Sequence, residues 1–158
     1  MASLNRPTGN LTGVAVLAGD IAPKRLALLH EVVPGVVSIA ILVNPANPGY
    51  AQAETKDLQS AAHVLGVRVL VLNGGSESDI AAAFATLVEQ QVSALLISAD
   101  TFFTAARQQI ISLAARYAIP TMFYDRASVA AGGLLSCGAD LLNANRQVGL
   151  LYWPHSQG

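Results

Sequence analysis

Cysteine is almost missing from this chain, because Cys137 is the only one among its 158 residues. A disulfide within the chain and a metal site built from several thiolates each need at least two cysteines, so both are excluded. A racemase that uses a pair of cysteines is excluded for the same reason. We interpret Cys137 as a small, buried apolar residue, which is a common role for a free cysteine.

Charge is also scarce. Charged residues make up 12% of the chain and hydrophobic residues 53%, whereas charged residues usually make up about 25% of a soluble domain. The net charge is -1, and the Lys and Arg residues are scattered rather than clustered, so we predict no nucleic-acid partner. So little charge indicates that part of the surface is covered. We therefore predict a homodimer or larger homo-oligomer that buries apolar surface or pairs an edge strand.

Long apolar runs are lacking too. None approaches the roughly 20 residues that cross a bilayer, so we predict no membrane insertion. A secretory signal would need a basic start, an apolar stretch and a small-residue cleavage site. The opening residues 1–10 are instead polar and rich in turn-forming residues. As given, the sequence predicts a cytoplasmic chain.

The motifs of several enzyme classes are missing as well. No glycine is followed by lysine, which excludes a phosphate-binding P-loop. The segment Asn44–Gly49 carries two prolines where a dinucleotide-binding fingerprint needs backbone N–H groups facing a phosphate. A nucleophile elbow of the form Gly-x-Ser-x-Gly is absent. We therefore predict a chain that is not an enzyme and that has no cofactor and no metal.

Apolar runs that stop abruptly in polar loops recur along the chain. The first is Ser38–Val43, which ends in Asn44-Pro45-Ala46-Asn47-Pro48. A strand that is apolar throughout has no wet face, so helices must cover it on both sides. Strands joined by helices are parallel, with right-handed crossovers. The sequence therefore predicts a single α/β domain over residues 1–158, with a three-layer, doubly wound parallel sheet of Rossmann-like or flavodoxin-like type. Further strands are predicted over 67–72, 92–97, 119–123 and 134–138.

The helices between these strands are predicted from apolar residues that recur at helical spacing. In the helix from Gly49 to Leu65, the apolar stripe leaves Glu54 largely on the polar side. A single helix is predicted to follow Asp100 and to continue to about Tyr117. The remaining helices are predicted over 22–33, 126–131 and 140–150.

The third helix has a clear start, because the Ser76 side chain can cap it. The Asp79 side chain can in turn accept a hydrogen bond from the backbone N–H of Ser76, as in a capping box. We predict that its buried face contains four large apolar side chains. These are Ile80, Phe84, Leu87 and Val88.

The loops at the carboxyl ends of parallel strands share one edge of the sheet, and ligands bind in the crevice there. In this chain those loops carry amides, hydroxyls, an aromatic ring and carboxylates, which suit a small polar or zwitterionic ligand. The alternative is that Asn47, Ser76 and Asp100 only cap helices, although one residue can do both. The loop residues are Asn44, Asn47, Asn73, Ser76, Ser98, Asp100, Thr101, Tyr124 and Asp125.

A series of short segments occurs in a particular order and spacing over about residues 2–150. The segments are Lys24-Arg25-Leu26-x-Leu28-Leu29-His30-Glu31-x-Val33-Pro34, Ala40-Ile41-Leu42-Val43-Asn44-Pro45, Asp79-Ile80-x3-Phe84, Ala94-Leu95-Leu96-x-x-Ala99-Asp100, Ile119-Pro120 and Ala131-Gly132-Gly133-Leu134-Leu135-Ser136-x-Gly138. In these segments the chain resembles the ABC-transporter substrate-binding proteins of the tryptophan/tyrosine uptake type.

Members of that family have two α/β lobes of the type I periplasmic-binding fold, which close on a small ligand such as an aromatic amino acid. The resemblance implies that this chain is the second lobe of a truncated protein. It implies a hinge-like opening segment over 1–13, the lobe over 14–150 and an irregular tail over 151–158. Family members are periplasmic or extracytoplasmic, and an ABC permease would be the partner of an exported, complete protein.

The resemblance also implies which positions face the ligand. Because one lobe supplies only part of the contacts to the ligand, we predict weak or no binding by this lobe alone. These positions lie in the loops at the carboxyl ends of the strands, where the predicted sheet also places a ligand. They are Asn44, Ala46, Asn47, Asp100, Thr101, Tyr124 and Asp125.

Three functions are consistent with this sequence. The first is a non-catalytic, solute-binding lobe of an ABC importer that binds an amino acid. The second is an intracellular ligand-sensing or oligomerising module of the same fold, which the missing signal supports. The third is an enzyme on a flavodoxin-like fold, in which only Asp100, Tyr124 and Asp125 could act as acid or base groups.

Overall fold

A parallel sheet organises the structure, which is a computed structural model that describes residues 21–33 and 35–137. In those residues five strands form one sheet in the order β2-β1-β3-β4-β5, and every neighbouring pair is parallel. At its centre Ile41 pairs with Val71 on one side and Leu96 on the other. The predicted α/β fold with a parallel sheet is confirmed. The strands are β1 (Ser38–Val43), β2 (Arg68–Asn73), β3 (Ala94–Ile97), β4 (Thr121–Phe123) and β5 (Leu135–Ser136).

Helices cover both faces of this sheet, as the apolar first strand requires. Along β1, Ile39 and Ile41 contribute to one core cluster, and Ala40 and Leu42 to the other. The first cluster includes side chains of α1 and α2, and the second includes those of α3 and α5. Each fully buried Ile or Leu contributes about 1.5–3 kcal/mol of transfer free energy. The helices are α1 (Ile21–Val32), α2 (Pro48–Leu65), α3 (Glu77–Glu89), α4 (Thr101–Ala105), α5 (Arg107–Tyr117) and α6 (Arg126–Ala130).

The strand order reverses between β1 and β3. From β1 the chain passes through α2 to β2 on one side, and then through α3 to β3 on the other side of β1. The loops that leave β1 and β3 therefore diverge to opposite faces and leave a crevice at the carboxyl edge. In an open α/β sheet this is the place where a ligand binds.

Helix boundaries follow local chemistry at several ends. Ser76 caps α3, because its hydroxyl accepts a hydrogen bond from the backbone N–H of Asp79. Gly66 ends α2 with a φ of 67°, a left-handed conformation that glycine adopts without a steric penalty. Asn47 precedes α2, but its side chain makes no capping hydrogen bond, so the prediction of an Asn47 side-chain cap was wrong.

The single helix predicted between Asp100 and Tyr117 is divided into α4 and α5. At Ala106 the φ and ψ angles are −81° and 5°, which lie outside the helical range. The side chain of Arg107 donates a hydrogen bond from Nε to the carbonyl oxygen of Thr104 (3.0 Å) across this break. Periodicity did not reveal the break, because apolar residues lie on both sides of it.

The predicted buried face of α3 is correct except at its end. Ile80, Phe84 and Leu87 are buried, whereas Val88 is 50% exposed. Ala83 is buried in its place, which gives the spacing i, i+3, i+4, i+7 of an amphipathic helix. Val88 lies one residue beyond that stripe and therefore faces outward.

Several predicted segments lie outside the described residues. They are the helix over 140–150, the opening segment over 1–13 and the tail over 151–158. The sequence also predicts a short strand or an extended entry segment over 11–17, and it too lies outside the described residues.

Candidate functional site

A hydrogen bond joins the loops that follow β1 and β3. The Asn44 side-chain amide donates from Nδ2 to Oδ1 of Asp100 (3.0 Å), and its Oδ1 accepts from the backbone N–H of Ala46 (3.0 Å). The second bond closes a tight turn around Pro45, as Asn side chains often do. The first bond holds two predicted site residues together at the point where the strand order reverses.

Asp100 also caps α4. Its Oδ1 accepts a hydrogen bond from the backbone N–H of Phe102 (2.8 Å), so the capping interpretation of Asp100 is correct. Both of these hydrogen bonds from the described residues reach Oδ1 of a half-buried carboxylate. Capping therefore leaves Oδ2 able to accept from a ligand, and one residue can serve both purposes.

Tyr124 follows β4 and joins the same edge through a hydroxyl pair. Its hydroxyl is hydrogen-bonded to Oγ1 of Thr104, and Thr104 Oγ1 also lies 3.4 Å from the carbonyl oxygen of Asp100. Thr104 donates to that carbonyl, so Tyr124 donates to Thr104. The loops after β1, β3 and β4 thus form a continuous chain of contacts at the carboxyl edge.

The other predicted site residues contribute less to this chain of contacts. Asp125 caps α6, where it accepts from the backbone N–H of Ser128 (2.9 Å) and from its hydroxyl (2.8 Å). Both of its carboxylate oxygens are therefore engaged within that turn. Ala46, Asn47 and Thr101 are exposed at the edge.

Beneath this edge lies a buried charged cluster that sequence reasoning missed. Arg25 of α1 donates from Nη1 to Oε1 of Glu54 in α2 (3.0 Å), and Oε2 of Glu54 accepts a short hydrogen bond from the Ser98 hydroxyl. Arg25, Glu54 and Ser98 are only 2%, 5% and 1% exposed. The prediction that Glu54 lies largely on the polar side of its helix was therefore wrong, because Glu54 is in line with Leu58 and Ala62 on the buried face of α2.

The pKa of Arg25 reflects this burial. Loss of solvation lowers the pKa of its guanidinium, and the nearby carboxylate of Glu54 opposes that decrease. The ion pair therefore offsets part of the cost of burying the guanidinium.

Tyr50, in the first turn of α2, is a further residue that the sequence did not single out. Burial raises the pKa of its half-buried phenol, Glu54 and Tyr124 raise it further, and Arg25 lowers it. Tyr50 therefore lies near both the buried cluster and Tyr124. Its position just after the loop that ends β1 was the only signal in the sequence.

We expect Tyr50 to titrate above the usual tyrosine value of about 10. The folded state then holds its proton more tightly than the unfolded state, so this group's contribution to stability is full below about pH 10 and falls as the pH rises further. Phenolate absorbance during an alkaline titration measures the pKa, and Tyr50→Phe assigns the transition. In Glu54→Gln the Tyr50 transition should move to lower pH. An unchanged transition would contradict the placement of Tyr50 beside Glu54.

Two further features bear on the kind of site. In residues 21–33 and 35–137, no three His, Cys, Asp or Glu side chains come together in a way that could hold a metal ion. In the same part of the chain, no helix combines the length and apolar character needed to span a membrane.

The fold defines a class of protein, namely an α/β lobe with a parallel sheet covered by helices on both faces. A family model described as "ABC transporter substrate binding protein" matches residues 1–152. The chain belongs to that family. Its members are binding proteins rather than enzymes, in agreement with the prediction of a non-catalytic chain. No curated protein matches the chain.

Several solved structures share this fold. The ABC domain of Streptococcus pneumoniae in complex with L-Trp has a TM-score of 0.69 at 20% identity, over 84% of this chain and 46% of that one. A conserved domain protein from Vibrio cholerae has a TM-score of 0.67 at 20% identity, also over 84% and 46%. A substrate binding protein with adhesive properties from Clostridium difficile has a TM-score of 0.65 at 18% identity, over 82% and 45%. The chain therefore spans less than half the length of these proteins.

Proposed function

We propose that this chain forms one lobe of the solute-binding protein of an ABC importer, and that its carboxyl edge holds one side of an amino acid. The observation that carries this proposal is the hydrogen bond between Asn44 and Asp100 (3.0 Å), which brings two strand-end loops together at the crevice. The family match favours transport over the intracellular sensing module and over the flavodoxin-like enzyme.

The chemistry of the edge suits an amino acid. Oδ2 of Asp100 accepts hydrogen bonds from the ligand's ammonium group, with the charge attraction that makes such bonds strong. The amino end of α2, a helix of 18 residues, favours the ligand's carboxylate, because the helix dipole places partial positive charge there. Tyr50 and Tyr124 offer aromatic surface to an apolar or aromatic side chain.

The remaining parts of the proposal follow from the family. The ligand is enclosed only when a first lobe closes over this one, which corresponds to the second lobe, over residues 14–150. The intact protein works outside the cytoplasm and delivers its ligand to an ABC permease. The expectation of a cytoplasmic chain applies to the sequence as given, and it stays a prediction.

A titration with L-tryptophan followed by NMR tests the site, because chemical shifts detect weak binding. We expect saturable shifts of the backbone amides at 44–47, 98–104 and 124–126, with millimolar affinity. Asp100→Asn keeps a good helix cap but removes the charge, so it should weaken binding by about tenfold or more. The control is Glu89→Gln, which removes an exposed carboxylate at the far end of α3 and should bind as the wild type does.

Two results would contradict this account. Shifts confined to residues away from the carboxyl edge would place the site elsewhere, and equal weakening by Asp100→Asn and Glu89→Gln would remove the role of Asp100. Micromolar affinity by calorimetry would show that one lobe is sufficient for binding, against the prediction that it is not.

Self-association belongs to this proposal as well. Val37 and Val64 are 69% and 84% exposed, and Val71 is 38% exposed in β2, which is an edge strand among the residues that the structure describes. Exposed apolar side chains and an edge strand favour pairing with a second copy. We expect a homodimer in sedimentation velocity at high micromolar concentration, and a monomer under those conditions would contradict it.

A further inference from the structure

The buried cluster of Arg25, Glu54 and Ser98 connects two helices to two strand ends. The guanidinium of Arg25 donates from Nη2 to the carbonyl oxygens of Ile97 (2.6 Å) and Met122 (3.2 Å). Ile97 is the last residue of β3, and Met122 lies in β4. One side chain from α1 therefore holds both strands.

The contacts of Arg25 lie where the backbone pairing between β3 and β4 stops. Backbone pairing between β3 and β4 ends at Leu96 and Met122. Beyond that pair the two strands lead to different loops, which carry Asp100 and Tyr124. The guanidinium bonds to both carbonyl oxygens where this backbone pairing stops. It therefore connects the two strands one residue further along.

Glu54 extends the connection to the loop after β3. Its two carboxylate oxygens accept from Arg25 and from the hydroxyl of Ser98. Ser98 immediately follows β3 and lies two residues before Asp100. The ion pair is thus linked to the backbone that presents the proposed ligand-binding carboxylate, and Tyr50 lies one helical turn before Glu54.

Stability alone does not account for this cluster. Replacing a buried ion pair by apolar side chains of similar volume is often neutral or stabilising, because both charges must be removed from water. Because an apolar replacement need not cost stability, the contacts that join α1, α2, β3 and β4 point to a role in geometry.

We propose that Arg25 and Glu54 are positioning residues, which set the ends of β3 and β4 against α2 so that Asp100 and Tyr124 face one ligand. The inference rests on the function proposed above and adds to it the residues that shape the site without contacting the ligand.

The test replaces the pair together. Arg25→Met with Glu54→Leu removes both charges without leaving one unpaired. Amide hydrogen exchange in the absence of ligand then compares residues 98–104 and 122–126 with α3. We expect exchange at the two strand-end segments to become at least about tenfold faster while α3 keeps its protection. Ser98→Ala, which removes a single link, should change exchange in the same segments by a smaller factor.

A matched control distinguishes positioning from general loss of stability. Leu87→Ala removes a buried side chain of α3, which is 1% exposed, and should accelerate exchange without singling out the strand ends. Wild-type protection at 98–104 and 122–126 in the double variant would overturn the proposal. So would a loss of protection spread evenly over the molecule, as in Leu87→Ala.

Binding supplies a second measurement. The double variant should bind L-tryptophan at least about tenfold more weakly than the wild type, since small errors in site geometry are costly. Unchanged affinity would overturn the positioning role. If the wild type itself gives no shifts with L-tryptophan, the proposed ligand is wrong, and the exchange experiment still decides whether the cluster positions the strand ends.

Discussion

Replacing Arg25 alone by methionine is expected to lower the free energy of unfolding by about 3–5 kcal/mol. The substitution leaves the carboxylate of Glu54, which is 5% exposed, without its counter-charge. It also removes the donors to the carbonyl oxygens of Ile97 and Met122, and unpaired buried acceptors add to the cost. Urea denaturation followed by circular dichroism measures the change.

A surface arginine provides the control for the same substitution. Arg116 is exposed and lies over the ring of Tyr117, with its Cζ atom 5.7 Å from the ring centroid. An exposed contact of this kind contributes about 0.5–1 kcal/mol, so Arg116→Met should cost no more than that. Similar losses for the two arginines would show that the burial of Arg25 has no energetic consequence. The Arg25→Met, Glu54→Leu double variant should recover the part of the loss that comes from the unpaired carboxylate, whereas the cost of the two unpaired carbonyl oxygens remains.

Replacing Phe84 by alanine is expected to destabilise the fold by about 3–5 kcal/mol. Phe84 of α3 is fully buried, and its ring stacks on that of Tyr117 in α5 with the centroids 6.3 Å apart. Truncation removes the apolar contact and leaves a cavity that the rigid sheet beneath cannot fill by collapse. The same denaturation experiment measures the loss.

Val88, four residues further along α3, is the matched control. Sequence periodicity placed it on the buried face together with Phe84, whereas the structure leaves it 50% exposed. Val88→Ala should therefore change stability by about 0.5 kcal/mol or less. A loss comparable to that of Phe84→Ala would mean that the original prediction for Val88 was right.

The sheet was predictable from the sequence because its signals are local. The run from Ile39 to Val43 is apolar at every position, and all six residues of β1 are buried. Ser76 and Gly66 mark helix ends through hydrogen bonds and dihedral angles that involve only a few neighbouring residues. Strand boundaries were less accurate, since β4 begins at Thr121 rather than at Ile119, because pairing decides where a strand starts.

The edge of the sheet was predictable for a related reason. Parallel strands place their following loops on one side, so Asn44, Asp100 and Tyr124 were expected to be neighbours. The structure brings them into contact through Asn44–Asp100 and through Thr104. Their binding of a ligand stays a prediction. Thr104 itself was not predicted, since its role depends on where α4 turns.

By itself the sequence determined the parallel sheet, its covering helices and the edge at which polar loops collect, because hydrophobic pattern and turn chemistry act between residues close in the chain. Only the tertiary structure decided that Arg25 and Glu54, which are 29 residues apart, meet in the core. Helical spacing places Arg25 beside Leu26 and Leu29, and Glu54 in line with Leu58 and Ala62, but it does not show that the two charges meet. That pairing arises only when the helices pack, and it then brings the charges beneath the loops of β3 and β4.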